Sequence, residues 1–299
     1  MITFHTRLIL ITAFFFLTCE WSLKAQQTAK QISVIVIGAH PDDCDLDAGG
    51  TALLFASLGH KVKFLSLTNG DAGHHIQGGG QLARRRAEEA KEAGKRFGVE
   101  YEVLNNHDGE LEPRLSIRLD VIRRIREWKA DLVIAPRPND YHPDHRYTGI
   151  LVQDAAYMVG VPNILPDCPP LKKNPVFLYA QDYFKRPNPF RADIAVDITA
   201  VFEKKMHGLD AHPSQFYEWL PWIGGYVNEV PSDSLERKKW LAKRYQVKFN
   251  LEQLTILEKY YGKQKMPAIK QAEFFEICEY GTQPDETALR KLFPMIKMD

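Results

Sequence analysis

The chain has 299 residues, 44% of them hydrophobic, with 39 basic against 38 acidic side chains and a net charge of +1. That is enough apolar material for a full core, and the balanced charge gives no basis for a nucleic-acid partner. The basic run Arg84-Arg85-Arg86 is followed at once by Glu88 and Glu89, as on a solvated helix face.

Residues 1–25 stand apart. Arg7 precedes an apolar stretch over residues 8–17, and Ala25 closes a short polar segment before Gln26. This is the order of a secretory signal peptide, too short in its apolar part for a membrane span. Cleavage after Ala25 predicts an exported protein, periplasmic or secreted, with residues 26–299 as a single domain and no membrane span after processing. A lipoprotein reading, with Cys19 as the lipidated N-terminus, is the rival. Cys44, Cys168 and Cys278 remain in the mature chain; an odd number is no disulfide framework, although Cys168 and Cys278 could pair in an oxidising compartment.

Residues 32–37 form an apolar, β-branched run that suits a central strand of a parallel sheet, and it empties into His40-Pro41-Asp42-Asp43. A helix capped by Asp47 and ending at Gly59 follows, then a strand over 61–67. The turn-rich loop from Thr68 to Gly73, with His74, His75 and Gly78-Gly79-Gly80, reads as a mobile flap. Helices are predicted over 82–97 and 117–128, and strands over 101–104 and 132–135. The last of these empties into a second polar cluster ending His142-Pro143-Asp144-His145. Downstream come a helix over 148–158, a loop with five prolines over 162–175, and edge strands over 176–180 and 194–198. Then follow a helix over 201–211, an aromatic stretch over 216–226, a helical region over 232–245 and a short apolar element over 273–278. Strands alternating with helices point to βαβ units and a mostly parallel sheet.

Both histidine–aspartate clusters therefore lie at the carboxyl edge of one sheet, where open α/β sheets place their ligands. His40, Asp43 and His145 offer two imidazoles and a carboxylate, a set that binds a divalent metal in hydrolytic zinc sites and in the triad of non-haem iron oxygenases. Asp42 and His142 are left to handle protons. Taken singly, each cluster also fits a capped turn or a helix N-terminal acidic pair.

The motifs AHPDD, AGGT, TNGDAG, LARRRAEEAKEAGKRFGV, HPDHRYTG and DITAVFEKKMHGLDAHPSQF, with a weaker AEFF near the end, resemble in order and spacing those of the PIG-L/LmbE-like N-deacetylases. The resemblance runs from about residue 32 to 216. It implies a Rossmann-like α/β/α sandwich with a mostly parallel sheet, and zinc-dependent removal of acetyl from an N-acetylglucosamine-type sugar or glycoconjugate. The metal ligands would be His40, Asp43 and His145, with zinc the expected ion and other divalent metals such as Fe2+ admissible. Asp42 would be the general base on the metal's water, and His142, oriented by Asp144, the cation that stabilises the oxyanion. Arg86 and Asp108 match positions that look like sugar contacts, and His212 lies in a motif near the family's pocket. The chain departs from the family pattern at Cys44 and Asp45, which bears on the surroundings of the metal. Rival functions are an iron oxygenase on the same triad and a non-catalytic glycan-binding protein; homo-oligomerisation is left open. An exported enzyme of this kind would meet a surface glycan or a sugar released from one.

Overall fold

The structure is a computed structural model and describes residues 30–296. The leader read in residues 1–25, Cys19 included, lies outside the described residues. The chain runs β1 (Ser33–Gly38), α1 (Asp43–Ser57), β2 (Lys61–Thr68), α2 (Gly79–Phe97), β3 (Glu100–Asn106), α3 (Leu115–Trp128), β4 (Leu132–Ala135), α4 (Pro143–Met158) and β5 (Val176–Ala180). β6 (Ile194–Asp197), α5 (Phe202–Leu209), α6 (Leu220–Ile223), α7 (Ser234–Arg244), α8 (Leu251–Lys265), β7 (Ala272–Gly281) and α9 (Glu286–Leu292) complete it.

The strands form one seven-stranded sheet in the order β3-β2-β1-β4-β5-β7-β6. β1 to β5 pair in parallel, while β7 runs antiparallel between β5 and β6. This is the mostly parallel sheet that the alternation predicts, within the α/β/α sandwich that the resemblance implies. Side chains of β1 show why both faces are covered: Val34 and Val36 join one buried cluster with Phe55, Phe64 and Phe97, whereas Ile35 and Ile37 join another with Val121, Ile125 and Leu151. Helices α1 and α2 contribute to the first cluster, α3 and α4 to the second.

Three elements differ from expectation. Helix α1 begins at Asp43, not after an Asp47 cap, because the chain turns straight from the strand exit into the helix. β5 is an inner strand: β7, a ten-residue strand where only a short element was expected, lies beside it and leaves β6 at the edge. α8 was not anticipated, although Asn250 and Gln253 form a capping box at its start.

β1 lies between β2 and β4, so successive crossovers leave it in opposite directions. The segments leaving β1, β2, β3 and β4 therefore converge at the carboxyl edge beside that switch point, where ligand crevices form in open α/β sheets.

Candidate active site

The strand-to-helix turn at the exit of β1 sets the first group of side chains. A Cβ on Gly38 would lie 2.6 Å from that of Asp43, so only glycine lets the helix fold back this closely. Asp43 Oδ2 accepts from the backbone N–H of Ala39 and of His40, each at 2.8 Å, which pins its carboxylate over the strand end. Between them Asp42 holds φ 155° and ψ −21°, a conformation L residues rarely adopt.

His145, in the first turn of α4, is delivered to the same point from β4. Nδ1 of His40 stands 3.2 Å from Nε2 of His145, and Asp43 Oδ2 lies 3.5 Å from the former and 3.4 Å from the latter. The far nitrogen of each ring has a carboxylate of its own: His40 Nε2 lies 3.0 Å from Asp108 and 3.4 Å from Asp144, and His145 Nδ1 lies 3.1 Å from Asp140. Carboxylates placed in this way fix the tautomer of metal-binding histidines. A ring nitrogen of His142 also lies within 4.8 Å of nitrogens of His40 and His145. The residues present thus fit a divalent metal held by His40, Asp43 and His145.

The charges in this cluster are strongly interdependent. Burial would depress the His40 imidazole, but Asp108, Asp144 and Asp43 outweigh it and hold it well above its ordinary value. His145 is likewise pulled down by burial and lifted past that by Asp43 and Asp140, to about 9. Burial would raise Asp43, yet His145 and His40 hold it far below the usual carboxylate range. Carboxylates that crowd two imidazoles in this way leave negative charge that a cation would neutralise.

Asp42 is positioned by Arg86, whose Nη2 donates to Asp42 Oδ1 at 3.1 Å and to the Pro41 carbonyl at 3.3 Å. Arg86 lies on the buried face of α2 with Leu82, Ala90, Ala93 and Phe97, and is only 2% exposed. Burial pushes the Asp42 carboxyl up and Arg86 holds it partly down, leaving it at about 6. His142 caps α4: its Nδ1 accepts from the Asp144 backbone N–H at 3.2 Å. That leaves the proton on Nε2, and burial together with the positive charge on His40 and His145 keeps the ring below its ordinary pKa.

Eight of the nine side chains singled out in the sequence gather here, in roles that partly differ. Asp144 does not reach His142 with its carboxylate, which instead accepts from Gly109 N–H (2.7 Å) and Leu111 N–H (3.3 Å) beside His40. His142 is therefore oriented by the backbone amide of Asp144 and not by its carboxylate. Arg86 and Asp108 border the cavity; Arg86 Nη2 donates to Asp42 and Asp108 Oδ1 lies 3.0 Å from His40, while the buried Nε of Arg86 has no hydrogen-bond partner. His212 is fully buried outside the cavity lining, with Nε2 on Asp45 at 3.0 Å. The Cys44 thiol points back to the Val36 carbonyl at 3.3 Å as a small packed side chain. Cys168 and Cys278 are both free. The expected flap is tied down: Gln215 donates to the Gly73 carbonyl, and His74 contacts Glu218 at 2.9 Å.

A cavity of about 590 Å3 opens over the cluster. Polar side chains of His40, Asp42, Asp43, His142 and His145 line it together with the apolar Tyr183, Phe184, Trp219, Leu220 and Ile223. Sequence reasoning missed Asp140, whose sign is its place five residues before His145 in an already polar strand exit, and Asp47, which lines the cavity instead of capping α1.

The family model described as GlcNAc-PI de-N-acetylase (PIG-L) matches residues 35–156, the segment that carries this cluster. The diacetylchitobiose deacetylase of Thermococcus kodakarensis is 33% identical over 206 residues, covering 64% of this chain and 74% of that protein. The chain belongs to the PIG-L family of de-N-acetylases. It is also similar to the probable N-acetyl-α-D-glucosaminyl L-malate deacetylase 2 of Bacillus cereus, at 29% identity over 220 residues, 70% of this chain and 93% of the relative. The crystal structure of N,N′-diacetylchitobiose deacetylase from Pyrococcus horikoshii superposes with a TM-score of 0.60 at 27% identity, with 85% of each chain covered. Membership of the PIG-L family makes this chain a hydrolase of carbon–nitrogen bonds other than peptide bonds. Among the described residues, no helix is long and apolar enough to cross a membrane.

Proposed function

We propose that the protein is a zinc-dependent N-deacetylase that hydrolyses the acetamide of an N-acetylglucosamine-type sugar or glycoconjugate, outside the cytosol. One arrangement carries this reading: Asp42, braced by Arg86 at 3.1 Å, stands next in sequence to Asp43 of the triangle formed with His40 and His145. A divalent metal held there supplies Lewis acidity, which activates water and polarises an amide carbonyl.

The protein's own groups do the rest. Asp42, with a carboxyl near 6, is ionised at neutral pH and accepts the proton of the attacking water. His142 presents Nε2–H to the oxygen that gains negative charge as the carbonyl carbon becomes tetrahedral. The carbon–nitrogen bond then breaks. Asp42, now the stronger acid of the two, returns its proton to the departing nitrogen, leaving acetate and a free amine.

The test is acetate release from an N-acetylglucosamine-containing panel by the zinc-loaded protein. Chelation should abolish it, zinc should restore it, and Asp42→Asn should remove it with metal still bound. A protein that takes up no divalent metal and releases no acetate from any member would sink the proposal; restoration by Fe2+ alone would replace zinc as the metal.

A further inference from the structure

Helix α1 opens with three acidic side chains at alternate positions, Asp43, Asp45 and Asp47. On a helix a residue four places on returns to the same face, whereas one two places on points elsewhere. Asp45 accordingly turns inward, fully buried against His212 and Tyr101. Asp47 stands one turn beyond the metal-site residue Asp43, partly buried, and lines the cavity.

What sets Asp47 apart is the lack of a partner. The other carboxylates lining the cavity, Asp42, Asp43, Asp108, Asp140 and Asp182, each meet a backbone amide, an imidazole or a guanidinium within 3.1 Å. Asp47 makes no hydrogen bond or ion pair among the described residues. Lys205, whose charge reaches it, donates instead to the Leu46 carbonyl at 2.6 Å and to Glu273 at 2.7 Å. Nor does Asp47 cap α1, which begins at Asp43. A partly buried polar group without a partner costs free energy, and a ligand in the cavity removes that cost. Burial, with the negative charge of Asp43 beside it, pushes the Asp47 carboxyl up to about 8. A divalent metal on Asp43 would draw it back toward the ionised form. A hydroxyl suits the group in either state, because it both donates and accepts.

Resting on the deacetylase reading above, we propose that Asp47 is a substrate-binding and specificity-determining residue, whose carboxyl holds a ring hydroxyl of the sugar that presents its acetamide to His40, Asp43 and His145. The site thereby selects an N-acetylated sugar over an N-acetylated amine that lacks the hydroxyl.

The experiment measures kcat/KM for acetate release, at saturating zinc, by the unsubstituted protein and by its Asp47→Ala and Asp47→Asn variants. The substrates are the methyl glycoside of N-acetylglucosamine and its 3-, 4- and 6-deoxy analogues. With the unsubstituted protein one deoxy analogue should fall behind the full sugar by about tenfold, the scale of one hydrogen bond to a partly buried carboxyl. Asp47→Ala should lose a similar factor on the full sugar and nothing further on that analogue. Asp47→Asn, whose amide also donates and accepts, should recover most of the loss. Because no partner within the fold is removed, Asp47→Ala should melt no lower than the unsubstituted protein. An Asp47→Ala variant that matches the unsubstituted protein on the full sugar overturns the proposal. So does one that loses the same factor on all four sugars, or one that melts lower and loses activity in proportion. Acetate from none of the four with the unsubstituted protein overturns the deacetylase reading itself, an outcome distinct from release that ignores Asp47→Ala.

Discussion

Nε2 of His40 meets a carboxylate oxygen of Asp108 at 3.0 Å, and this contact decides which nitrogen the ring turns toward His145. Asp108 comes from the exit of β3 and is held by its own backbone N–H on Asp71 at 3.0 Å, so the histidine is oriented by two further strand exits. Loss of such an outer carboxylate frees the ring to rotate and lowers its basicity. Asp108→Ala should weaken zinc binding by roughly 10- to 100-fold, read by competition with a chromophoric chelator. An unchanged affinity would show that His40 is oriented by Asp144 alone.

On the proposed mechanism, the pair of Asp42 and Arg86 should set the acid side of the pH profile. Burial raises the Asp42 carboxyl and Arg86 partly offsets this, leaving it at about 6, and the base must be ionised to work. Activity is therefore retained above that value and lost as pH falls through it; a bound metal ion adds positive charge nearby, so the inflection in kcat/KM should sit at or below about 6. Arg86→Met removes the opposing cation and should move the inflection upward. Asp42→Asn should cost about 10²- to 10⁴-fold in kcat. An acid limb that ignores Arg86→Met would assign the titration to another group.

Metal-free protein should reveal the charge stored on His145. Its folded pKa, near 9, lies above the ordinary 6.5 because Asp43 and Asp140 outweigh burial. The stabilisation this gives is complete below about 6.5 and disappears as pH rises through 9. The melting temperature of the chelated protein should fall across that window. Zinc uptake at pH 7 should also release protons, since the ligand nitrogen must be vacated. Calorimetry in two buffers of different ionisation enthalpy measures them, and an identical heat in both would refute the linkage.

The sequence exposed what depends on local chemistry. Apolar runs marked β1 and β4, and the histidines and aspartates at their exits marked the cluster, because a strand's end and the residues after it are neighbours in the chain. Legibility failed where partners are distant. Nothing near residues 272–281 announces that β7 inserts between β5 and β6, a pairing made across about a hundred residues. Arg86 could be placed on a helix but not on its inner face against Asp42, because a charge on the buried side becomes intelligible only with its partner in view. Which part of Asp144 meets His142 is hidden for the same reason: two residues along a helix start, its backbone N–H reaches His142 while its carboxylate accepts from Gly109 and lies 3.4 Å from His40.

His212 illustrates how far a motif can lie from the chemistry it accompanies. Its Nε2 lies 3.0 Å from Asp45, whose other oxygen accepts from Tyr101 Oη at 2.7 Å, and both His212 and Asp45 are fully buried. Burial depresses the imidazole, but Asp45 more than compensates and raises it. Removing the ring leaves a buried carboxylate with the Tyr101 hydroxyl as its remaining side-chain partner, and breaking a buried pair in this way costs about 3 kcal/mol or more. His212→Ala should therefore lower the melting temperature by roughly 5 to 10 °C in a chain of this size, with no selective rise in KM for any N-acetyl sugar. A variant that melts like the parent but shows a raised KM would return His212 to the substrate-contact role expected from its motif.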